Sequence, residues 1–208
     1  MICKSFIRKN FFFVHIPKTA GTSISLTIKK SYKYRVSYKP FVHSTALSIR
    51  KELGESAAKY YSFSFVRNPW DRLNSAYYFL CQKKLFPEKG ENWDQQKLLK
   101  KGFKAWLMEE SFWEPNASIE DPFMQIRPQS YYLCDENNET IVNDIFRYEN
   151  LHHDLENLGI KLGIDFKNLL RTKATNRKDF REDYCSETID FVLNNHRVDI
   201  EKFNYKFD

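Results

Sequence analysis

The sequence lacks any long apolar run. Its longest aromatic stretch, Phe11-Phe12-Phe13-Val14, falls far short of the roughly 20 residues a membrane-spanning helix needs. Mean hydropathy is −0.62, which agrees with the expectation of no integral membrane span. Arg8, Lys9 and Asn10 precede the stretch and no small-residue cleavage site follows, so it does not read as a secretory leader. The expected compartment is cytoplasmic, with attachment at the inner membrane surface as a variant. Glycine and proline are scarce, at six and seven, which excludes collagen-like and Gly/Pro-rich low-complexity chains. The four cysteines, Cys3, Cys81, Cys134 and Cys185, lie far apart without a CxxC pair. That spacing offers neither a zinc site nor a disulfide framework, and reduced thiols are expected. A strong excess of one charge sign is lacking as well: 33 basic residues face 27 acidic ones, for a net charge of +6. Such a modest excess favours anionic partners without choosing among nucleotide, acidic glycan, nucleic acid or membrane surface.

What is present is an ordinary globular composition rich in aromatics. Hydrophobic residues make up 42% and charged residues 29%, enough to build a core at this length. The chain reads as one domain over residues 1–208, with an insertion at about 85–125 that could line a substrate groove. Phe11 to Ile16 and Tyr60 to Val66 are short, near-continuous apolar runs, as in strands covered on both faces. The first leads into a helix over Ile24 to Ser31. Ser44 is the expected N-cap of a helix over Thr45 to Leu53, stopped by Gly54. After the second run, Asn68 and Pro69 supply an N-cap and a first helical residue. Leu73, Ala76, Tyr77 and Leu80 then mark a core-facing stripe. Asp94 to Glu109, Leu151 to Leu162 and Ser186 to Asn195 read as helices. Tyr131 to Leu133 and Ile141 to Phe146 flank a polar turn, a candidate hairpin. Strands followed by helices predict an α/β fold with a mostly parallel central sheet flanked by helices.

Two strand-to-helix junctions carry the chemistry. Pro17-Lys18-Thr19-Ala20-Gly21-Thr22-Ser23 joins the first strand to its helix, and such loops aim backbone N–H groups and a helix N-terminus at an anion. It is no Walker A loop, because the Lys precedes the Gly and GxxxxGK[ST] is absent. Arg67 ends the second strand, where ligands bind in open α/β sheets. Ser75 falls near the side of the helix opposite the apolar stripe, free of the core, where it could share a phosphate with Arg67. The Arg fork suits bidentate phosphate binding. Either junction alone would pass for an ordinary turn. Together they predict a nucleotide with phosphate-like groups at both ends.

At these residues the sequence resembles the carbohydrate sulfotransferases. His15-Ile16-Pro17-Lys18-Thr19-Ala20-Gly21-Thr22-Ser23 looks like their 5′-phosphosulfate loop. Phe65-Val66-Arg67-Asn68-Pro69-Trp70-Asp71-Arg72-Leu73-Asn74-Ser75-Ala76-Tyr77 looks like their 3′-phosphate motif. The similarity is to sulfotransferase family 2, the branch with heparan sulfate 2-O-sulfotransferase and its small bacterial relatives. Arg147-Tyr148-Glu149-Asn150-Leu151 and Asp199-Ile200-Glu201-Lys202-Phe203-Asn204-Tyr205 resemble the bacterial members. The resemblance implies a P-loop-like α/β fold and 3′-phosphoadenosine 5′-phosphosulfate (PAPS) as donor co-substrate, with no metal. It further implies sulfuryl transfer to a carbohydrate or polysaccharide hydroxyl, and no nucleic-acid partner. Carried over by position, Pro17, Lys18, Thr19, Ala20, Gly21, Thr22 and Ser23 would hold the phosphosulfate. Arg67 and Ser75 would hold the 3′-phosphate, and the basic loop with Asn176 and Arg177 would close over the nucleotide.

Sulfuryl transfer needs a base for the acceptor hydroxyl and a cation for the leaving oxygen. Lys18 is the expected cation. His43 is the expected base: it precedes the predicted N-cap, where the helix dipole disfavours protonation. In the resembling family a His between the two nucleotide motifs has this role, and His43 is the one His in that interval. His15 reads as a hydrogen-bonded core residue; His152, His153 and His196 read as surface or packing residues. Glu149 is an alternative base or a salt-bridge residue, and Arg127 and Gln129 are acceptor contacts or packing residues. Two competing functions are weighed against sulfuryl transfer by their chemistry. A P-loop kinase or other nucleoside triphosphatase is disfavoured by the missing GK[ST] and the lack of a carboxylate pair for Mg²⁺. A non-catalytic anionic-glycan binder is disfavoured by the absence of a basic stripe.

Overall fold

A computed structural model of the chain describes residues 11–31, 44–83, 99–109, 126–167, 169 and 177–208. In chain order these form β1 (Phe11–Val14), α1 (Gly21–Ser31), α2 (Ala46–Leu53), β2 (Tyr61–Val66), α3 (Pro69–Lys83) and α4 (Phe103–Leu107). There follow α5 (Ser130–Leu133), β3 (Asp144–Arg147), α6 (Leu151–Leu162), α7 (Ser186–Asn195) and α8 (Arg197–Lys202). The fold is α/β, with a small parallel sheet in the order β1-β2-β3 and helices beside it. The chain divides into two compact units, Met1–Arg67 with Gln129–Thr172, and Asn68–Pro128 with Lys173–Asp208.

The first unit holds the sheet. All four β1 residues are buried, as the unbroken apolar run requires of a strand covered on both faces. β2 alternates: Phe63 and Phe65 join Phe11 and Phe13, Ile24 and Ile28 of α1, and Leu155 and Leu158 of α6 in one core. Phe13 and Phe63 stack at 5.0 Å. Ser62 and Ser64, also buried, occupy the other face of β2. Burying a hydroxyl is costly unless it is hydrogen-bonded. Ser64 Oγ donates to the Val14 carbonyl at 2.7 Å and Ser62 Oγ to Asn143 Oδ1 at 2.7 Å. α6 ends as its sequence indicates, with Gly163 in the left-handed conformation at φ 65°.

Two local expectations are corrected. The N-cap of α2 is Thr45 rather than Ser44: its side chain accepts from the Ser48 N–H at 3.1 Å. The hairpin around residues 135–139 shrinks to one antiparallel bridge, Cys134 with Thr140. Tyr131 to Leu133 is helical, and Asp144–Arg147 pairs with β2 in parallel instead. An isolated two-stranded hairpin is marginal in water, whereas pairing with β2 adds this segment to a three-stranded sheet packed on a core.

In the second unit, Asn68 caps α3 as expected, its side chain accepting from the Trp70 N–H at 3.1 Å. Leu73, Ala76 and Leu80 are buried, and Tyr77 is partly so. The first turns of α3 are covered nearly all round, since Arg72, Asn74 and Ser75 are buried too. Buried Arg72 is offset by carbonyl acceptors, Arg127 O at 2.5 Å and Ile126 O at 3.4 Å. Tyr77, Phe103 and Tyr184 pack edge to face. His196, expected on a surface or packing face, is fully buried 3.5 Å from the Asp199 carboxylate. Burial lowers its pKa, against the opposing pull of Asp199. Among the described residues no helix is long and apolar enough to cross a membrane.

Candidate functional site

Because β1, β2 and β3 are parallel, the residues that follow them leave the sheet at one edge. The loop His15–Ala20 follows β1, Arg67 follows β2 and Tyr148 follows β3. In open parallel sheets ligands bind at this carboxyl edge. All of these residues belong to the first unit.

The loop is held in a demanding conformation. Lys18 and Ala20 have φ 68° and 64°, a left-handed region that costs a residue with a Cβ about 1–2 kcal/mol. Three bonds offset that cost. Thr19 Oγ1 donates to the Ile16 carbonyl at 2.9 Å, Arg67 Nη1 donates to the Lys18 carbonyl at 3.0 Å, and the Ile24 N–H donates to the Ala20 carbonyl at 3.2 Å. Alternating left-handed residues are the backbone arrangement of anion-binding concavities, and α1 begins directly afterwards. Thr19 is wholly buried with its hydroxyl proton committed to Ile16. What it offers a ligand is its place in the main chain. Pro17 and Ser23 are also buried, while Lys18, Ala20 and Thr22 are partly exposed.

Gly21 is required by close approach rather than by its φ. A Cβ there would overlap the His15 imidazole, which stacks on Phe13 at 5.8 Å. Gly21→Ala must displace that ring, and overpacking of this kind costs roughly 1–3 kcal/mol. We expect a Tm lowered by several degrees, at about 2–4 °C per kcal/mol for a chain of this size. A differential scan of the variant checks it, and an unchanged Tm would mean that the His15 ring moves aside freely.

Arg67 is almost buried, at 6% exposure. Its main chain is bracketed by one carboxamide: Gln129 Oε1 accepts from the Arg67 N–H at 2.8 Å and Gln129 Nε2 donates to the Arg67 carbonyl at 2.9 Å. Its guanidinium carbon lies 4.0 Å from the centre of the Tyr148 ring, a cation–π contact. Gln129 is itself fully buried, so of its two expected roles the structure supports packing and hydrogen bonding. Glu149 is exposed in the turn after β3.

In the second unit, Ser75 is only 4% exposed. The expectation that it stands free of the core is therefore corrected. The helical wheel left its side of α3 open, whereas the tertiary packing covers it. Arg177 is partly buried, paired with Asp71, and donates through Nη1 to Asn74 Oδ1 at 2.6 Å. Asn74 in turn donates to Asp183 Oδ2 at 2.8 Å, which also accepts from the Tyr78 hydroxyl at 2.9 Å. The Arg177 fork is thus engaged by α3. His43 and Asn176, together with most of the 85–125 region, lie outside the described residues.

Tyr148 had no role in the sequence reading, and Gln129 was expected as an acceptor contact or packing residue, not as a partner of Arg67. Tyr148 could have been found: Arg147 pairs with Val66 in register, so Tyr148 follows β3 as Arg67 follows β2. Gln129 carries no such signal, because its partner is a main chain 62 residues away.

The profile of the sulfotransferase family matches residues 6–206. No curated protein and no solved structure is a significant match. The family match spans both units and takes in the braced loop and Arg67 alike. It agrees with the α/β fold and its small parallel sheet flanked by helices, and the chain belongs to the sulfotransferase family, as an enzyme of sulfuryl transfer.

Proposed function

We propose that the donor is PAPS and the acceptor a hydroxyl of a carbohydrate or polysaccharide. The observation that carries this reading is the left-handed loop at the carboxyl edge of the sheet, bonded through the Lys18 carbonyl to the Arg67 guanidinium. A phosphosulfate fits a concavity of main-chain N–H groups at the start of α1. The motif resemblance adds Arg67 and Ser75 as 3′-phosphate ligands, and Asn176 and Arg177 as nucleotide-side residues.

In the proposed reaction the acceptor oxygen attacks sulfur in line. The new O–S bond forms as the bond from sulfur to the bridging phosphate oxygen breaks. The electron pair leaves with 3′-phosphoadenosine 5′-phosphate (PAP), and the hydroxyl proton passes to His43. The Lys18 ammonium stabilises charge on the bridging oxygen, as electrostatic positioning does in phosphoryl transfer.

Calorimetry with two nucleotides tests the donor. PAP should bind far more tightly than AMP, which has no 3′-phosphate. Arg67→Ala should erase most of that gap by removing a charge-assisted bond of roughly 1.5–3 kcal/mol. Equal affinities for PAP and AMP in the parent would remove the 3′-phosphate assignment.

A further inference from the structure

We infer that Arg67 is also a positioning residue for the loop after β1: clamped by Tyr148 and Gln129, its guanidinium holds the left-handed turn at Lys18 in place. This rests on the reading of that loop as the 5′ end of the donor site, and it goes beyond the 3′-phosphate role proposed above.

Three observations converge on it. First, the loop has two non-glycine residues at positive φ, and such conformations persist only where surrounding bonds over-determine them. Second, one of those bonds comes from outside the loop, from Arg67 Nη1 to the Lys18 carbonyl at 3.0 Å. A bond from a charged donor is stronger than one between neutral groups, so it is a substantial share of what holds Lys18. Third, Arg67 is fixed more firmly than a ligand contact alone needs. Gln129 bonds both its main-chain N–H and its carbonyl, and Tyr148 covers a face of its guanidinium. A long side chain waiting for a phosphate would otherwise lose rotamer freedom on binding. Here that freedom is already spent in the folded chain. Tyr148 therefore acts through Arg67, and Arg67 acts through the Lys18 carbonyl, on the main chain that faces the 5′-phosphate.

Two measurements on the full chain separate this from the reading it rests on. The first needs no nucleotide: amide hydrogen exchange of residues 15–21 in the parent, Arg67→Ala, Tyr148→Leu and Tyr148→Phe. Exchange in the α6 core at Leu155 and Leu158 serves as the control for global unfolding. We expect faster exchange in the loop for Arg67→Ala and Tyr148→Leu with α6 unchanged. Tyr148→Phe, which keeps the ring, should restore the parent rate. Unchanged loop exchange in both disruptive variants overturns the inference whatever the donor is.

The second measurement is the affinity for AMP. Because AMP has no 3′-phosphate, a pure 3′-phosphate contact would leave its binding untouched. We expect Arg67→Ala to weaken AMP roughly ten-fold. Tyr148→Leu, acting through Arg67, should weaken it by less, roughly three-fold, and Tyr148→Phe should recover it. If Arg67→Ala weakens PAP but not AMP, Arg67 acts at the 3′-phosphate alone and the inference fails while the donor reading stands. If the parent binds neither nucleotide, the donor reading fails, and the 5′-site role inferred here fails with it; the exchange result then reports the brace alone.

Discussion

Lys18→Ala is expected to lose turnover by roughly 10²–10³-fold while keeping most of its PAP affinity. Removing one group that stabilises developing charge typically costs that much. The loss should appear in kcat more than in donor KM, because the ammonium matters most when the bridging oxygen gains charge. The backbone makes this substitution unusually interpretable. Lys18 sits at φ 68° and its carbonyl, not its side chain, receives Arg67. Alanine meets the same left-handed penalty as lysine, so the variant removes an ammonium without adding new backbone strain. Single-turnover rates with saturating donor and acceptor, set beside PAP calorimetry, measure the two effects separately. Near-parent turnover would take Lys18 out of the chemistry and leave it a main-chain role in the loop.

His43→Ala should have the largest effect, a fall of roughly 10²–10⁴-fold, the usual contribution of general base catalysis. The variant should retain its Tm and its PAP affinity, since the base meets the acceptor rather than the nucleotide. The sign of the pH dependence follows from the role. A base must be neutral to accept a proton, so the rate should fall as acid protonates the imidazole, and that acidic limb should vanish in the variant. His43→Asn keeps a hydrogen-bonding group without the basicity and should stay slow. If His43 is structural instead, His43→Ala should lower Tm and weaken PAP together. A well-folded variant at nearly the parent rate would return Glu149, exposed just after β3, to consideration as the base.

Short-range chemistry was legible in the sequence. The apolar run Phe11–Val14 became β1, a strand buried along its whole length, while Phe63, Phe65 and Val66 marked β2, whose buried Ser62 and Ser64 are kept by hydrogen bonds. Asn68-Pro69 started α3 because one supplies the capping oxygen and the other a preset φ. Gly163 ended α6 because only the left-handed conformation closes its last turn there. The loop Pro17–Ser23 could be recognised because its hydroxyls, Gly and Lys lie within seven residues. The family match over residues 6–206 bears out the family that the resemblance named.

What only the tertiary structure decided are the long-range terms. No local pattern says that Asp144–Arg147 pairs with β2 in parallel rather than folding back as a hairpin, because the competing edges lie about eighty residues away. Helical periodicity placed Ser75 on an open face, and packing closed it, since periodicity describes one helix and burial depends on its neighbours. The Arg177 fork meets Asp71 and Asn74 of α3, 106 and 103 residues away in the chain. The partners of Arg67, namely Lys18, Gln129 and Tyr148, are 49, 62 and 81 residues distant. A sequence states which groups can bond. Only the folded chain, by choosing which distant groups it desolvates together, decides which of them do.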